Sequence, residues 1–262
     1  MPRFIGIDLA WKSDANPSGA VVLVGDHEGV HLDFVSPPLR TYSEILDFIS
    51  QFRPSESVIA IDGPLIIPNL VGLRECERMI GRKYGSRYAS CHASNLTLYP
   101  GAASVRLTEH LETLGYRHPS NTSVELGSMI EVYPHAAFVA FFDLPRIIRY
   151  KKGRVAQKVS GLRVLQAILS YLASETPPVL RTPALYQVLS VDPARLRGKE
   201  RKEYEDSLDA LFCAYLACHF WRWGLEQSEI FGDSSTGYIM NPKLRTGYQP
   251  PASHCSDPAA YP

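Results

Sequence analysis

The chain has 262 residues, 45% hydrophobic and 21% charged, enough for one large domain with a full core, and the composition excludes a disordered chain. Lys and Arg number 27 and Asp and Glu number 27, a net charge of zero, which excludes a protein that coats nucleic acid by bulk charge and leaves only local basic grooves. The five cysteines (Cys76, Cys91, Cys213, Cys218 and Cys255) contain no C-x-x-C pair; the odd count excludes a fully paired disulfide scaffold, and Cys91 with His92 gives too few ligands for zinc.

Arg3 to Ala10, rich in Ile and Phe, reads as a buried strand, and its charge at Asp8 comes too soon for a secretory h-region. Gly19 to Gly25 and Val30 to Ser36 read as two more strands, joined by the turn Asp26-His27-Glu28-Gly29. Such short connections make the three an antiparallel meander. Thr41 is placed to cap a helix, Tyr42 to Phe52, with Ile45, Leu46, Phe48 and Ile49 on one side. The strand Val58 to Asp62 follows, stopped by Gly63-Pro64, and the intervening helix makes it parallel to the first strand.

Regularity lapses from Gly63 to Leu126, where helices around Leu73 to Arg82 and Ala103 to Leu114 flank a Gly-, Ser-, Tyr- and Asn-rich stretch, Tyr84 to Gly101. An interval this long reads as an insertion above the sheet, the kind of segment that carries function. A strand at Ser128 to Tyr133 precedes Pro134, which opens the helix His135 to Phe142. Within it lies the longest apolar run, Ala136 to Phe142, far below the roughly 20 residues of a membrane span. Helices at Gly161 to Ala173 and Tyr204 to Trp223 and a hairpin around Gly232 to Gly237 complete the pattern.

The expected fold is α/β, a ribonuclease-H-like mixed five-stranded sheet flanked by helices, with a helical insertion between strands 4 and 5. It fills residues 1–242, with the insertion at about 63–126 and a flexible tail at 243–262. A soluble, cytoplasmic protein is expected, and the sequons at Asn95 and Asn121 read as chance.

Strand parity brings carboxylates together. Phe4, Gly6 and Asp8 share one face, as do Val58, Ala60 and Asp62. On neighbouring parallel strands the two acids end side by side, where they repel unless a cation lies between them. In the last helix Asp206 and Asp209 are three apart and share a face that continues through Ala210, Cys213 and Ala217, a small-residue stripe suited to lying close against a sheet. Each acid also has a structural reading: Asp8 as a cap, Asp62 as a turn residue, Asp206 as a first-turn acid favoured by the helix dipole. Glu131 reads as a metal ligand or as the partner of a buried arginine.

These residues resemble a known family. Phe4 to Trp11 (FIGIDLAW), Ile59 to Leu65 (IAIDGPL), Arg74 to Glu77 (RECE), Glu131 to Ala136 (EVYPHA), Asp206 to Leu211 (DSLDAL) and the late Gly237 to Pro242 (GYIMNP) look like a bacterial and archaeal domain-of-unknown-function family of predicted nucleases with a ribonuclease-H fold. The resemblance covers about residues 3 to 242. It implies that fold and a metal-dependent nuclease class; the paired acids of the last helix also resemble those of Holliday-junction resolvases, a more distant relation.

Two windows lack acidic residues. Pro145 to Ser174 holds Arg146, Arg149, Lys151, Lys152, Arg154, Lys158 and Arg163; Arg78 to Thr108 holds Arg82, Lys83, Arg87 and His92, interleaved with Tyr84 and Tyr88. Basic groups neutralise phosphates and exposed aromatics stack bases, although solvated faces balancing acids elsewhere give the same pattern. The expected activity is phosphodiester hydrolysis of DNA or RNA. Asp8, Asp62, Asp206, Asp209 and Glu131 form the expected catalytic set, with Asp8, Asp62 and Asp209 holding Mg²⁺ or Mn²⁺. Arg82, Lys83, Arg87, Lys151, Lys152 and Arg154 are the expected nucleic-acid contacts. The alternative is a binding module that keeps the fold and the acids without catalysis. An actin-like kinase is disfavoured, because Leu9-Ala10-Trp11 replaces the glycine-rich phosphate turn and the chain is too short for two copies of the fold.

Overall fold

A computed structural model describes residues 1–11, 16–120 and 123–248; Asn121, Cys255 and the expected tail from residue 249 onward lie outside the described residues. Strands β1 (Arg3–Asp8), β2 (Gly19–Gly25) and β3 (Val30–Val35) form the antiparallel meander, while β4 (Ser57–Asp62) and β5 (Met129–Val132) continue the sheet parallel to β1 on its other side. The result is one mixed five-stranded sheet in the order β3-β2-β1-β4-β5.

Period-2 alternation divides the core into two layers. Ile5, Ile7, Val22, Ile59, Ile61 and Met129 face one side and pack against α1 (Tyr42–Ile49) and α3 (Ala103–Leu114). Thr41 closes the start of α1 as a capping box: its hydroxyl accepts from the Glu44 N–H at 3.1 Å and the Glu44 carboxylate accepts from the Thr41 N–H at 3.2 Å. The other face, through Phe4, Val21, Leu23, Val58, Ala60 and Ile130, packs against α4 (Pro134–Phe141), α5 (Val155–Ser170) and α7 (Lys199–Trp223).

Two glycines set the height of α7 above the sheet. A Cβ on Gly6 would stand 2.0 Å from the Ala210 carbonyl oxygen, and one on Gly19 would stand 2.6 Å from that of Asp206. The helix backbone therefore rests directly on β1 and β2, with Ala210, Cys213, Ala214 and Ala217 fully buried in the contact. Burying polar groups this deep is costly unless they are satisfied, and Asp206 and Asp209 lie on this helix.

The insertion carries α2 (Glu75–Tyr84) as well as α3, and its α2 packs against a separate two-stranded sheet, β6 (Ser228–Asp233) and β7 (Gly237–Pro242). Tyr238 of β7 donates its hydroxyl hydrogen to the Met129 carbonyl, tying the hairpin to β5. Three expectations need correction. Helix α7 begins at Lys199 rather than Tyr204, so Asp206 lies beyond the first turn and the dipole does not explain it. Helix α5 begins at Val155 rather than Gly161, and a short α6 (Pro183–Leu189), capped by the Thr182 hydroxyl, was not expected. No helix among the described residues is long and apolar enough to cross a membrane.

Candidate functional site

Asp8 and Asp62 are direct register partners at the ends of β1 and β4, and α7 delivers Asp206 and Asp209 to the same edge. Lys151, from the segment before α5, reaches into the group: its ammonium stands 2.8 Å from Asp209 Oδ2 and 3.9 Å from Asp8 Oδ2. Lys202, one turn before Asp206, pairs with Asp206 and, at 3.1 Å, with Glu205. Tyr150 donates its hydroxyl hydrogen to Asp209 Oδ1 at 2.7 Å. Five carboxylates thus face two ammonium groups, and Asp206 shares a side-chain hydrogen bond with Asp8, one of the two carboxyls keeping its proton.

This excess of negative charge shows in the titration of the acids. Burial, followed by the charge of Asp8, pushes the Asp206 carboxyl up to about 8 against the pull of Lys202. Burial and then Asp8 likewise hold Asp62 well above the carboxylate range. Burial raises Asp209 too, with Lys151 opposing. For Lys151 burial works against the charged form, but Asp209 and Asp8 outweigh it and keep the ammonium strongly protonated. His135, beside Tyr150 at a ring separation of 5.6 Å, is lowered to about 3 by burial and then by Lys151, and is a neutral imidazole.

These groups border a cavity of about 730 Å³ whose lining includes Asp8, Asp62, Asp206, Lys202, His135, Arg146, Arg149, Lys151 and Lys152. The insertion overhangs it as expected, contributing Tyr88, Ser90, Cys91, His92 and Ser94. Its position is fixed by hydrogen bonds from Tyr133 Oη to the Ser90 carbonyl and from the Ile147 N–H to the Arg87 carbonyl, both 3.0 Å.

The other expected residues are placed differently. Glu131 also borders the cavity, but it is engaged by the buried Arg74, whose Nη1 lies 3.0 Å from Glu131 Oε2 and whose Nη2 lies 2.5 Å from Oε1. Arg74 Nε pairs with Glu77 Oε1 at 2.9 Å, and the Leu65 N–H donates to Glu131 Oε2 at 2.8 Å. Of the arginine-partner and ligand readings of Glu131, the arginine contact is the one present. Arg82 pairs with Glu75 at 3.2 Å, Lys83 with Glu229 at 2.6 Å, and Arg87 with Asp143 at 2.8 Å. Arg154 is exposed where α5 begins. None of these four lines the cavity, whereas Lys151 and Lys152 do. Tyr84 is buried, its hydroxyl donating to Glu229.

The oxygen-only donors and the crowding of Asp8, Asp62 and Asp206 are of the chemistry that suits a hard divalent cation. As placed, no group of three or more Asp, Glu, His or Cys side chains among the described residues could hold a metal ion; the two ammonium groups pair with the carboxylates instead, and a cation would have to displace them. Lys202 and Tyr150 were missed from the sequence, although Lys202 at i−4 from Asp206 is a visible helical pairing once the helix start is known.

No curated protein matches the chain, and no solved structure does. A family model described as protein of unknown function (DUF429) matches residues 6–234, a span holding every residue of the carboxylate cluster. The chain belongs to that family.

Proposed function

We propose that the chain is a divalent-metal-dependent nuclease of ribonuclease-H-like type, hydrolysing phosphodiester bonds of DNA or RNA. The observation that carries this reading is the convergence of Asp8, Asp62 and Asp206 on one cavity that Arg146, Arg149, Lys151 and Lys152 also line. Acids able to hold a cation and bases able to hold a phosphate share one enclosure. The sheet order, with three antiparallel strands followed by two parallel ones, supports the fold assignment.

Asp8, Asp62 and Asp206 would hold the ion; Asp209 joins them only when Lys151 leaves it. Bound there, Mg²⁺ or Mn²⁺ supplies activation of water and stabilisation of the leaving oxygen. The chain's own groups do the rest. Arg146, Arg149 and Lys152 attract and orient the phosphodiester. Asp209, itself held by the Tyr150 hydroxyl, keeps the Lys151 ammonium at the cavity, where it neutralises charge on the phosphate. The insertion borders the cavity through Tyr88 and His92.

A second reading, a non-catalytic nucleic-acid-binding module, draws on the two lysine pairings, which neutralise Asp206 and Asp209 without metal. Incubating labelled single-stranded, duplex and branched DNA and RNA with Mn²⁺ separates the two. Cleavage lost in Asp8→Asn supports the enzyme. Binding without cleavage, together with a melting temperature unmoved by Mn²⁺, supports the module.

A further inference from the structure

Tyr88 is an unusual residue in an informative place. Its φ is +64°, a left-handed conformation that bulky side chains seldom adopt unless the surroundings impose it. The surroundings do impose it. The Tyr88 N–H donates to the Gly85 carbonyl at 3.0 Å, the next residue, Ala89, is fully buried, and Arg87 is fastened to Asp143 and to the Leu144 carbonyl. The Ile147 N–H bonds the Arg87 carbonyl, so this turn and the strip bearing Arg146 and Arg149 form one wall. From that wall the Tyr88 side chain projects with 69% of the residue exposed while lining the cavity. Among the described residues no ring, cation or hydrogen-bonding group engages it.

A core role fails, because the ring is in water. A turn-forming role fails as well, since glycine would serve that conformation without strain. What the fixed backbone achieves is to hold an exposed aromatic ring on the lining of a cavity that Arg146 and Arg149 also line. An aromatic platform next to a phosphate-binding strip is the combination that binds single-stranded nucleic acid, because every base offers a π face and the strip tracks the backbone. A paired base inside a duplex has no free face to offer.

We propose that Tyr88 stacks an unpaired nucleobase of the substrate, and that the substrate is therefore single-stranded, or locally unpaired, next to the phosphate that enters the cavity. This rests on the nuclease reading above and narrows its substrate class.

The test uses the full chain with Ca²⁺ in place of Mg²⁺ or Mn²⁺ and measures fluorescence anisotropy of three labelled probes. These are a single-stranded DNA 12-mer, the same 12-mer with its four central bases replaced by abasic tetrahydrofuran units, and the corresponding duplex. Wild type should prefer the intact single strand. Tyr88→Ala should weaken its binding between about fivefold and a hundredfold, leave the abasic and duplex affinities within twofold, and reduce binding to the abasic level. Tyr88→Phe should bind like wild type. Tyr88→Gly, which suits the positive φ, should melt no lower than wild type and yet lose base-dependent binding, separating stacking from any structural role. A Tyr88→Ala protein that weakens all three probes equally, or none, overturns the proposal and leaves the nuclease reading standing. Wild type that binds none of them overturns both.

Discussion

Lys151 and Asp209 form a buried-edge ion pair, 2.8 Å between Nζ and Oδ2, with the carboxylate fully enclosed and the lysine side chain 28% exposed toward the cavity. The protein thus supplies its own cation to the carboxylates. A divalent ion arriving at Asp8, Asp62 and Asp206 meets that ammonium as a like charge, only 3.9 Å from Asp8 Oδ2.

Removing the ammonium should therefore favour the metal. Lys151→Met is expected to tighten Mn²⁺ binding on the order of tenfold or more, since a unit charge a few ångströms away matters by kilocalories even at an effective dielectric near 20. The metal-free variant should melt below wild type, because Asp209 loses its counter-charge. Isothermal titration with Mn²⁺ and melting in EDTA check both. Unchanged Mn²⁺ affinity would show that the ion and Lys151 do not share a site.

The pH dependence follows from Asp206. Its carboxyl is raised to about 8 by burial and by Asp8, while an unfolded aspartate titrates near 3.9. Between those values the folded chain binds a proton that the unfolded chain does not. The corresponding stability is complete below about pH 4, declines as the pH rises through the window, and is gone above about 8. Asp62, raised for related reasons, acts with the same sign. Urea midpoints in EDTA across this range should fall more steeply for wild type than for Asp206→Asn, which carries no such proton. Parallel profiles would contradict the assignment.

Much of this site could be read before the fold was known, and the parts that could not share a cause. Alternation along Arg3–Asp8 and Ser57–Asp62 is local, so the shared face of Asp8 and Asp62 follows from counting residues. The start of α7 did not, because Lys199-Glu200-Arg201-Lys202-Glu203 is uniformly charged and shows no apolar period; Lys202 was lost with it. Thr182-Pro183 did offer a cap and a first-turn proline for α6, but Pro183–Leu189 is too short to display a periodic face. The acid-free window at Arg78 to Thr108 suggested a phosphate-binding strip, yet its Lys83 and Arg87 find Glu229 and Asp143, 146 and 56 residues away. Which distant acid meets which base is a tertiary fact. The same holds for Glu131 and Arg74, separated by 57 residues.

That arginine should be a stability residue. Arg74 joins Glu77 of α2, Glu131 of β5 and the Ile66 carbonyl in one buried group, pinning the insertion to the sheet. Arg74→Met leaves two buried carboxylates without their cation and should cost about 3–5 kcal/mol. Arg74→Lys should recover only part, since a point charge cannot reproduce the planar fork. Glu131→Gln should cost about 1–3 kcal/mol with Mn²⁺ affinity retained; a stable Glu131→Gln that no longer binds Mn²⁺ would make Glu131 a ligand after all. Urea denaturation and metal titration on the same samples decide.

The two helix acids should part company when each is replaced by asparagine. Asp206 shares Lys202 with Glu205, so its loss leaves the lysine a partner, while the repulsion from Asp8 disappears. Metal-free Asp206→Asn at pH 8 should be as stable as wild type or more so, and its Mn²⁺ affinity should fall by at least tenfold. Asp209 is differently committed: it accepts from Tyr150 and neutralises Lys151. In Asp209→Asn the amide oxygen still accepts from Tyr150, but among the described residues the ammonium keeps only the ion pair with Asp8, at 3.9 Å, and the cost should be about 1–3 kcal/mol. Because Asp8, Asp62 and Asp206 are all retained, Mn²⁺ binding there should persist, weakened by the ammonium that Asp209 no longer holds away from them. The reverse pattern, with Asp209→Asn stable but blind to Mn²⁺ and Asp206→Asn destabilised but binding normally, would transfer the ligand role to Asp209 and leave Asp206 as the structural partner of Lys202.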